Sequence, residues 1–164
     1  MNTTLPSELA SMLNQQRTHE RENVAIYEGM ASAFDEVQWT GFGHWMKKQA
    51  AEEQTHADLI YEYLNDRDVA VEEQGVQFPP EYNGGDAYST FRSALDRESI
   101  TTKRLTSIWE MAFKFSDIMT LDFVQKMIHE QVEEEAQLIE ICSYLERARD
   151  PASMILLDER LGKR

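Results

Sequence analysis

Apolar residues recur at steps of three and four along four long stretches of this chain, a spacing that keeps side chains on one face of an α-helix. The first stretch, about Pro6 to Phe34, places Leu13, Glu20, Val24, Tyr27, Ala31 and Phe34 on one seam. The second, about Glu36 to Asn65, aligns Met46, Gln49, Glu53, His56, Ile60 and Tyr63. The third, about Ala87 to Phe115, aligns Phe91, Leu95, Glu98, Thr102, Leu105, Trp109 and Ala112. The fourth starts at Ser116 or Asp117, runs to Arg149, and has the most regular seam: Thr120, Val124, Met127, Gln131, Glu134, Leu138, Ile141 and Leu145. Asp150-Pro151 then breaks the chain before a short apolar segment, Ser153 to Leu161.

The first two stretches almost abut, which makes them antiparallel neighbours. Residues 66–86 contain Gly75, Pro79-Pro80 and Asn83-Gly84-Gly85, which no helix would accommodate, and read as a crossover along the length of a bundle. Helices of nearly thirty residues span about 40 Å at the rise of an α-helix. The pattern therefore predicts an all-α protein: an antiparallel four-helix bundle with one long crossover and a short fifth C-terminal helix. The length of 164 residues suits a single domain over 1–164.

Each long seam is interrupted near its middle by a carboxylate, Glu20, Glu53, Glu98 and Glu134 in turn, with His56 and Gln131 one step away. An unpaired buried carboxylate costs several kcal/mol unless it is protonated, paired or bound to a metal. One such Glu reads as a side chain reaching solvent. Four, one in the middle of every helix, point to a site. Without a cation they would repel and take up protons, whereas two bridged metal ions would neutralise them. Several carboxylates with one imidazole and no thiolate suit iron or manganese better than a structural zinc, and iron best.

Composition narrows the partners. Sixteen basic against 30 acidic residues give a net charge of −14, which argues against nucleic acid and for cations. No stretch approaches the roughly 20 apolar residues of a membrane span. Met1 to Leu9 lacks the layout of a signal peptide, so a cytoplasmic location is expected. One cysteine, Cys142, rules out an internal disulfide and a four-cysteine iron centre, and reads as a reduced, inert thiol. His19, His44 and His129 have no partner at ligand spacing and read as surface or supporting groups. Gly41 and Gly43 read as sites of close helix packing, and Met12, Met30, Met46, Met111, Met119 and Met127 as core filler.

Several local runs give the chain a family likeness. They are Asn14-Gln-Gln ahead of Glu20, Tyr27 seven residues after that Glu, Glu52-Glu53-Gln54-Thr55-His56, Glu130-Gln131-Val132-Glu133-Glu134, and the tail Ile155 to Leu161. Together they resemble the non-haem bacterial-type ferritins, within the di-iron carboxylate family, over nearly the whole length. The resemblance implies a ferroxidase centre in which Glu20, Glu53 and His56 surround one iron and Glu53 bridges to a second held by Glu98 and Glu134. It implies that Gln131 helps to hold oxygen or solvent there, and that Tyr27 hydrogen-bonds a site carboxylate and can donate an electron. Glu52, Glu130 and Glu133, with Glu134, match a third iron site, although the same residues also read as a solvated acidic face. Gln54 stands where haem-binding relatives carry Met, so no haem is expected.

By that resemblance the cofactor is iron, two per subunit with a possible third. The partners are Fe(II) with dioxygen or hydrogen peroxide, and a homo-oligomeric cage of about twenty-four subunits. The function implied is iron storage and detoxification, with Fe(II) oxidised to Fe(III) and laid down as mineral inside the cage. Two other readings stay open: a di-iron or di-manganese oxidase or peroxidase acting on a small substrate, and a structural bundle whose acidic seam binds nothing.

Overall fold

The computed structural model describes residues 4–164, so part of the Met1–Leu9 segment lies outside the described residues. Among the described residues five helices are present: α1 (Ser7–Glu36), α2 (Thr40–Asp66), α3 (Ala87–Phe115), α4 (Ile118–Arg147) and α5 (Pro151–Leu161). The expected bundle with its crossover and tail helix is therefore found, and the bounds of α3 are those read from the sequence.

Four boundaries differ by two residues or more: α1 continues to Glu36 rather than ending at Phe34, and the other three each have a local reason. α2 begins at Thr40 rather than Glu36 because the chain leaves α1 through a turn in which Gln38 takes φ 66° and Trp39 N–H bonds Phe34 O at 3.0 Å. α4 stops at Arg147 rather than Arg149, ahead of Asp150-Pro151. α5 starts two residues earlier than expected, at Pro151, because proline is well suited to a first helical turn and Asp150 caps it by accepting from Ser153 N–H at 3.0 Å.

Cross-helix contacts set the directions. Arg17 lies over Tyr61, Asn23 reaches Glu53 and Lys47 reaches Asp35, so α1 and α2 run antiparallel. Gln16–Arg104 and Asn23–Arg97 make α1 antiparallel to α3 as well. Two helices each antiparallel to α1 run parallel to one another, which is why residues 67–86 must travel the length of the bundle. Asn14 pins that crossover to α1, donating to Ala70 O at 3.2 Å and accepting from Glu72 N–H at 2.8 Å.

Glycine is required where helices and loop meet most closely. A Cβ on Gly41 would lie 1.8 Å from Asp158 O of α5, and one on Gly84 would lie 1.9 Å from Ala33 O of α1. The close packing expected at Gly41 is thus between α2 and the tail helix.

The core is split in two. One cluster, around Phe34, Phe42, Phe91 and Trp45, lies toward the α1–α2 turn. The other, around Leu9, Leu13, Ile60, Leu64 and Val124, fills the opposite end. Between them lies a polar layer. All eight seam positions of α4 are buried. Of the methionines, Met30, Met46 and Met127 are buried, whereas Met119 is 66% exposed on the first turn of α4 and fills no core. Cys142 is buried, and burial pushes its thiol up, in keeping with an inert role.

At the end distant from the α1–α2 turn, α2 is tied to α4. Arg67 donates to both oxygens of Asp117, at 3.0 and 2.7 Å, and Asp117 caps α4 by accepting from Thr120 N–H at 2.9 Å. Tyr63 stacks on Phe123 beside them, with ring centroids 4.1 Å apart. Removing the carboxylate strands a largely buried guanidinium and uncaps a helix. Asp117→Ala should therefore lower the unfolding free energy by about 2–4 kcal/mol in a denaturant titration; a loss below about 0.5 kcal/mol would contradict this account of the junction.

Candidate metal centre

The polar layer is built from the mid-points of all four long helices. Glu20, Glu53 and Glu98 are fully buried, and Gln131, His56 and Glu134 are 1%, 5% and 8% exposed. These residues are drawn inward because their positions on the 3.6-residue period are those of the core: buried apolar residues stand two turns away on either side of each Glu, Leu13 and Tyr27, Met46 and Ile60, Phe91 and Leu105, and Met127 and Ile141. Two triads result, Glu20–Glu53–His56 and Glu53–Glu98–Glu134; within each, one potential ligand atom per residue lies within 4.8 Å of the others. Glu53 belongs to both. The six residues singled out in the sequence are thus brought together, and either triad could hold a cation.

Hydrogen bonds orient the carboxylates. Gln131 Nε2 donates to Glu98 Oε2 at 2.9 Å, and Tyr27 donates its hydroxyl to Glu98 Oε1. Glu20 accepts from Gln16 Nε2 at 2.6 Å and from Asn23 Nδ2 at 3.2 Å. Glu53 accepts from Asn23 Nδ2 at 3.0 Å and from Gln49 Nε2 at 3.2 Å. Glu134 Oε2 is buried with no hydrogen-bond partner. An orphaned carboxylate oxygen on a residue grouped with Glu53 and Glu98 fits a cation better than any internal donor.

The titration behaviour follows from crowding. Burial, and then the neighbouring Glu53 charge, raise Glu20 well above the ordinary carboxylate range. Burial and Glu53 likewise raise Glu98 to about 7, and burial with Glu98 raises Glu134 to about 9. Burial would also raise Glu53, but the His56 imidazole outweighs it and holds this carboxyl below its usual value. Burial alone would lower His56, yet Glu53 beside it lifts the imidazole to about 10. His56 Nδ1 stands 3.9 Å from Glu53 Oε2, so this is charge attraction rather than a hydrogen bond. Burial and the Glu98 charge raise Tyr27 well above 10.

The outlying acids sit apart. Glu52, Glu130 and Glu133 are exposed and line a cavity of about 310 Å³ whose inner wall is His56 and Glu134. Glu130 Oε2 lies 2.9 Å from His56 Nε2 and so connects this vestibule to the buried layer. Arg164 reaches the same cavity and pairs with Glu52 at 2.7 Å.

Some residues carry more than the sequence suggested. His19 is not a surface group: it is 5% exposed, its Nε2 lies 2.8 Å from Thr101 Oγ1, and burial together with Arg97 and Arg104 lowers it to about 3. His129 is exposed, and His44 Nε2 lies 3.0 Å from Arg164 O. Asn23, Arg97 and Arg104 were not anticipated. The available pointer was spacing: Gln16 and Glu20, like Gln49 and Glu53, stand four apart, and Glu20 and Asn23 three apart, separations that share a helix face.

The fold and the site define a four-helix-bundle protein with a buried carboxylate–imidazole cluster able to hold paired cations. Comparison with known proteins agrees. The family model of the ferritin-like domain matches residues 10–148. A bacterial non-heme ferritin of Staphylococcus aureus (strain MRSA252) is 34% identical over 161 residues, 98% of this chain and 96% of the relative. Its counterpart in Staphylococcus haemolyticus (strain JCSC1435) is 32% identical, over 95% of this chain and 93% of the relative. The open-pore ferritin of the hyperthermophilic archaeon Archaeoglobus fulgidus superposes with a TM-score of 0.95 at 31% identity, covering 98% of this chain and 99% of that one. This chain belongs to the ferritin family.

Linkage gives the cluster a measurable signature. Glu98, Glu134 and His56 all have folded-state values above their ordinary ones, so each favours the metal-free fold at low pH and withdraws that support as the pH rises through about 7, 9 and 10. Metal-free protein should therefore lose stability steadily from pH 6 to 9. A bound cation must displace these protons, so Zn(II), a redox-silent probe, should release protons on binding and bind more tightly at pH 8 than at pH 6. Melting independent of pH, with no proton release in weak buffer, would contradict this.

Proposed function

We propose that the chain stores and detoxifies iron, oxidising Fe(II) at an intra-subunit di-iron centre and passing Fe(III) to a mineral inside a multi-subunit cage. The observation that carries this is the shared Glu53, fully buried and common to both triads. In this reading Fe(II) is the substrate. Glu20, Glu53 and His56 receive one ion, and Glu53, Glu98 and Glu134 the other, with Gln131 orienting Glu98.

Holding the two ions on one carboxylate sets them side by side. Dioxygen can then take one electron from each and, with two protons, leave as hydrogen peroxide; where hydrogen peroxide is the oxidant, it takes both electrons and is reduced to water. The protein supplies proximity and charge, and the redox chemistry belongs to the iron. Tyr27, bonded to Glu98, positions that carboxylate and in this reading is the residue that can lend an electron.

Departure of Fe(III) needs an acidic path. Glu52, Glu130 and Glu133 line such a path in the adjoining cavity, and with Glu134 they are the residues that a third iron would use. Glutamate oxygens suit so hard a cation, and no haem enters the scheme.

The cage is supported by apolar side chains left uncovered on the single chain. Phe113, Ile118, Met119 and Leu156 are 65%, 75%, 66% and 66% exposed. Phe113, Ile118 and Met119 flank the α3–α4 junction and Leu156 lies on α5, and in a cage partner subunits would cover them. About twenty-four copies of a 19.1 kDa chain would form a particle of roughly 460 kDa in closed symmetry. No helix among the described residues is long and apolar enough to cross a membrane, in keeping with the proposed cytoplasmic setting.

Glu53→Ala tests the centre. The variant should keep its helical circular dichroism and particle size but lose the fast phase of aerobic Fe(II) oxidation. Wild-type particles should take up hundreds of irons, whereas saturation near two per chain with continued turnover would favour the small-substrate oxidase. An unchanged initial rate in the variant would overturn the assignment.

A further inference from the structure

Two arginines stand behind the first triad without touching it. Arg97 Nε donates to Asn23 Oδ1 at 2.5 Å, and Asn23 Nδ2 in turn donates to Glu53 Oε2 at 3.0 Å and Glu20 Oε2 at 3.2 Å. Arg104 Nε donates to Gln16 Oε1 at 2.9 Å, and Gln16 Nε2 donates to Glu20 Oε1 at 2.6 Å. The same guanidinium–amide–carboxylate relay is thus built twice, on the α1–α3 side of the bundle.

The direction of each relay is forced. A guanidinium has only donors, so the amide it touches must turn its oxygen outward and its NH₂ inward. Asn23 and Gln16 are both fully buried and have no room to choose otherwise. Arg97 is itself held by Glu22 at 3.1 Å and by donating to His19 Nδ1 at 3.0 Å. That bond leaves His19 Nε2 to carry its proton toward Thr101 Oγ1, 2.8 Å away, so Thr101 accepts from His19 and from Asn23 alike.

The relay answers a conflict in the site. Four carboxylates need donors to hold them in one conformation, yet a cation among them would repel the incoming metal. An amide between guanidinium and carboxylate transmits orientation and keeps the positive charge one residue farther from the metal position. A carboxylate oxygen has two lone pairs, so one can accept the amide N–H and the other remain free for a metal.

We propose that Asn23, clamped by Arg97, and Gln16, clamped by Arg104, are positioning residues that hold Glu20 and Glu53 in the geometry that receives the first metal ion. This rests on the di-iron reading above. The other triad members, Glu98 and Glu134, receive no bond from either relay, so the two metal positions should respond unequally. Groups that orient metal ligands typically contribute 10- to 100-fold in affinity.

The test is a titration of the assembled, metal-free protein with Co(II), followed by visible absorption and calorimetry, in wild type, Asn23→Leu, Arg97→Met and Arg97→Lys. Wild type should bind two ions tightly per chain. Asn23→Leu and Arg97→Met should weaken the ion at Glu20, Glu53 and His56 by about 10- to 100-fold, and the other, which shares only Glu53 with the relays, by clearly less. Arg97→Lys keeps the charge but offers one nitrogen in place of the Nε and Nη2 that reach Asn23 and His19, so it should fall between wild type and Arg97→Met. Circular dichroism separates lost folding from lost positioning, and a purely structural role would weaken both ions alike. Two tight ions in wild type with unchanged or equally weakened binding in folded variants would overturn the proposal alone. A wild type that binds fewer than two would overturn the di-iron reading and the proposal with it.

Discussion

The structure turns on the burial of negative charge. Four carboxyl groups meet where the core of a bundle should be driest, and His56 is the single basic side chain among them. Such a layer is costly on its own, since each charge removed from water loses several kcal/mol of hydration. The apolar clusters above and below it secure the fold at both ends while the middle remains unsatisfied. The metal-free state answers by holding protons, which is why Glu20, Glu98 and Glu134 are all raised. A cation is the other answer, and it is the one the shared carboxylate favours.

The surroundings of the layer divide the labour. Tyr27, Gln131, Asn23, Gln16 and Gln49 are neutral donors that orient the carboxylates without competing for their charge. Positive charge is kept one residue back, at Arg97 and Arg104. On the opposite side the layer opens through Glu130 to an acidic vestibule. One flank therefore fixes geometry while the other faces an acidic cavity.

Much of this was legible in the sequence, because a helix seam records burial directly. The α4 seam was read residue by residue, and the convergence of Glu20, Glu53, His56, Glu98, Gln131 and Glu134 followed from their heights along four helices. The connections were less legible. A left-handed Gln38 and the start of α2 at Thr40 depend on a turn whose residues carry no periodic mark. His19 and Arg97 were hidden for another reason: they lie beside the seam, and only the packing of α1 on α3 closes water away from them. Met119 shows the converse, an apolar residue that the outer face of α4 leaves bare.

The central claim is that two cations share Glu53 inside one subunit. Anomalous diffraction at the iron edge, from crystals soaked anaerobically in Fe(II), reads this directly. The account predicts two peaks a few Å apart, one among Glu20, Glu53 and His56 and one among Glu53, Glu98 and Glu134. Iron confined to the outer vestibule, or absent from the bundle while bound elsewhere, would contradict it.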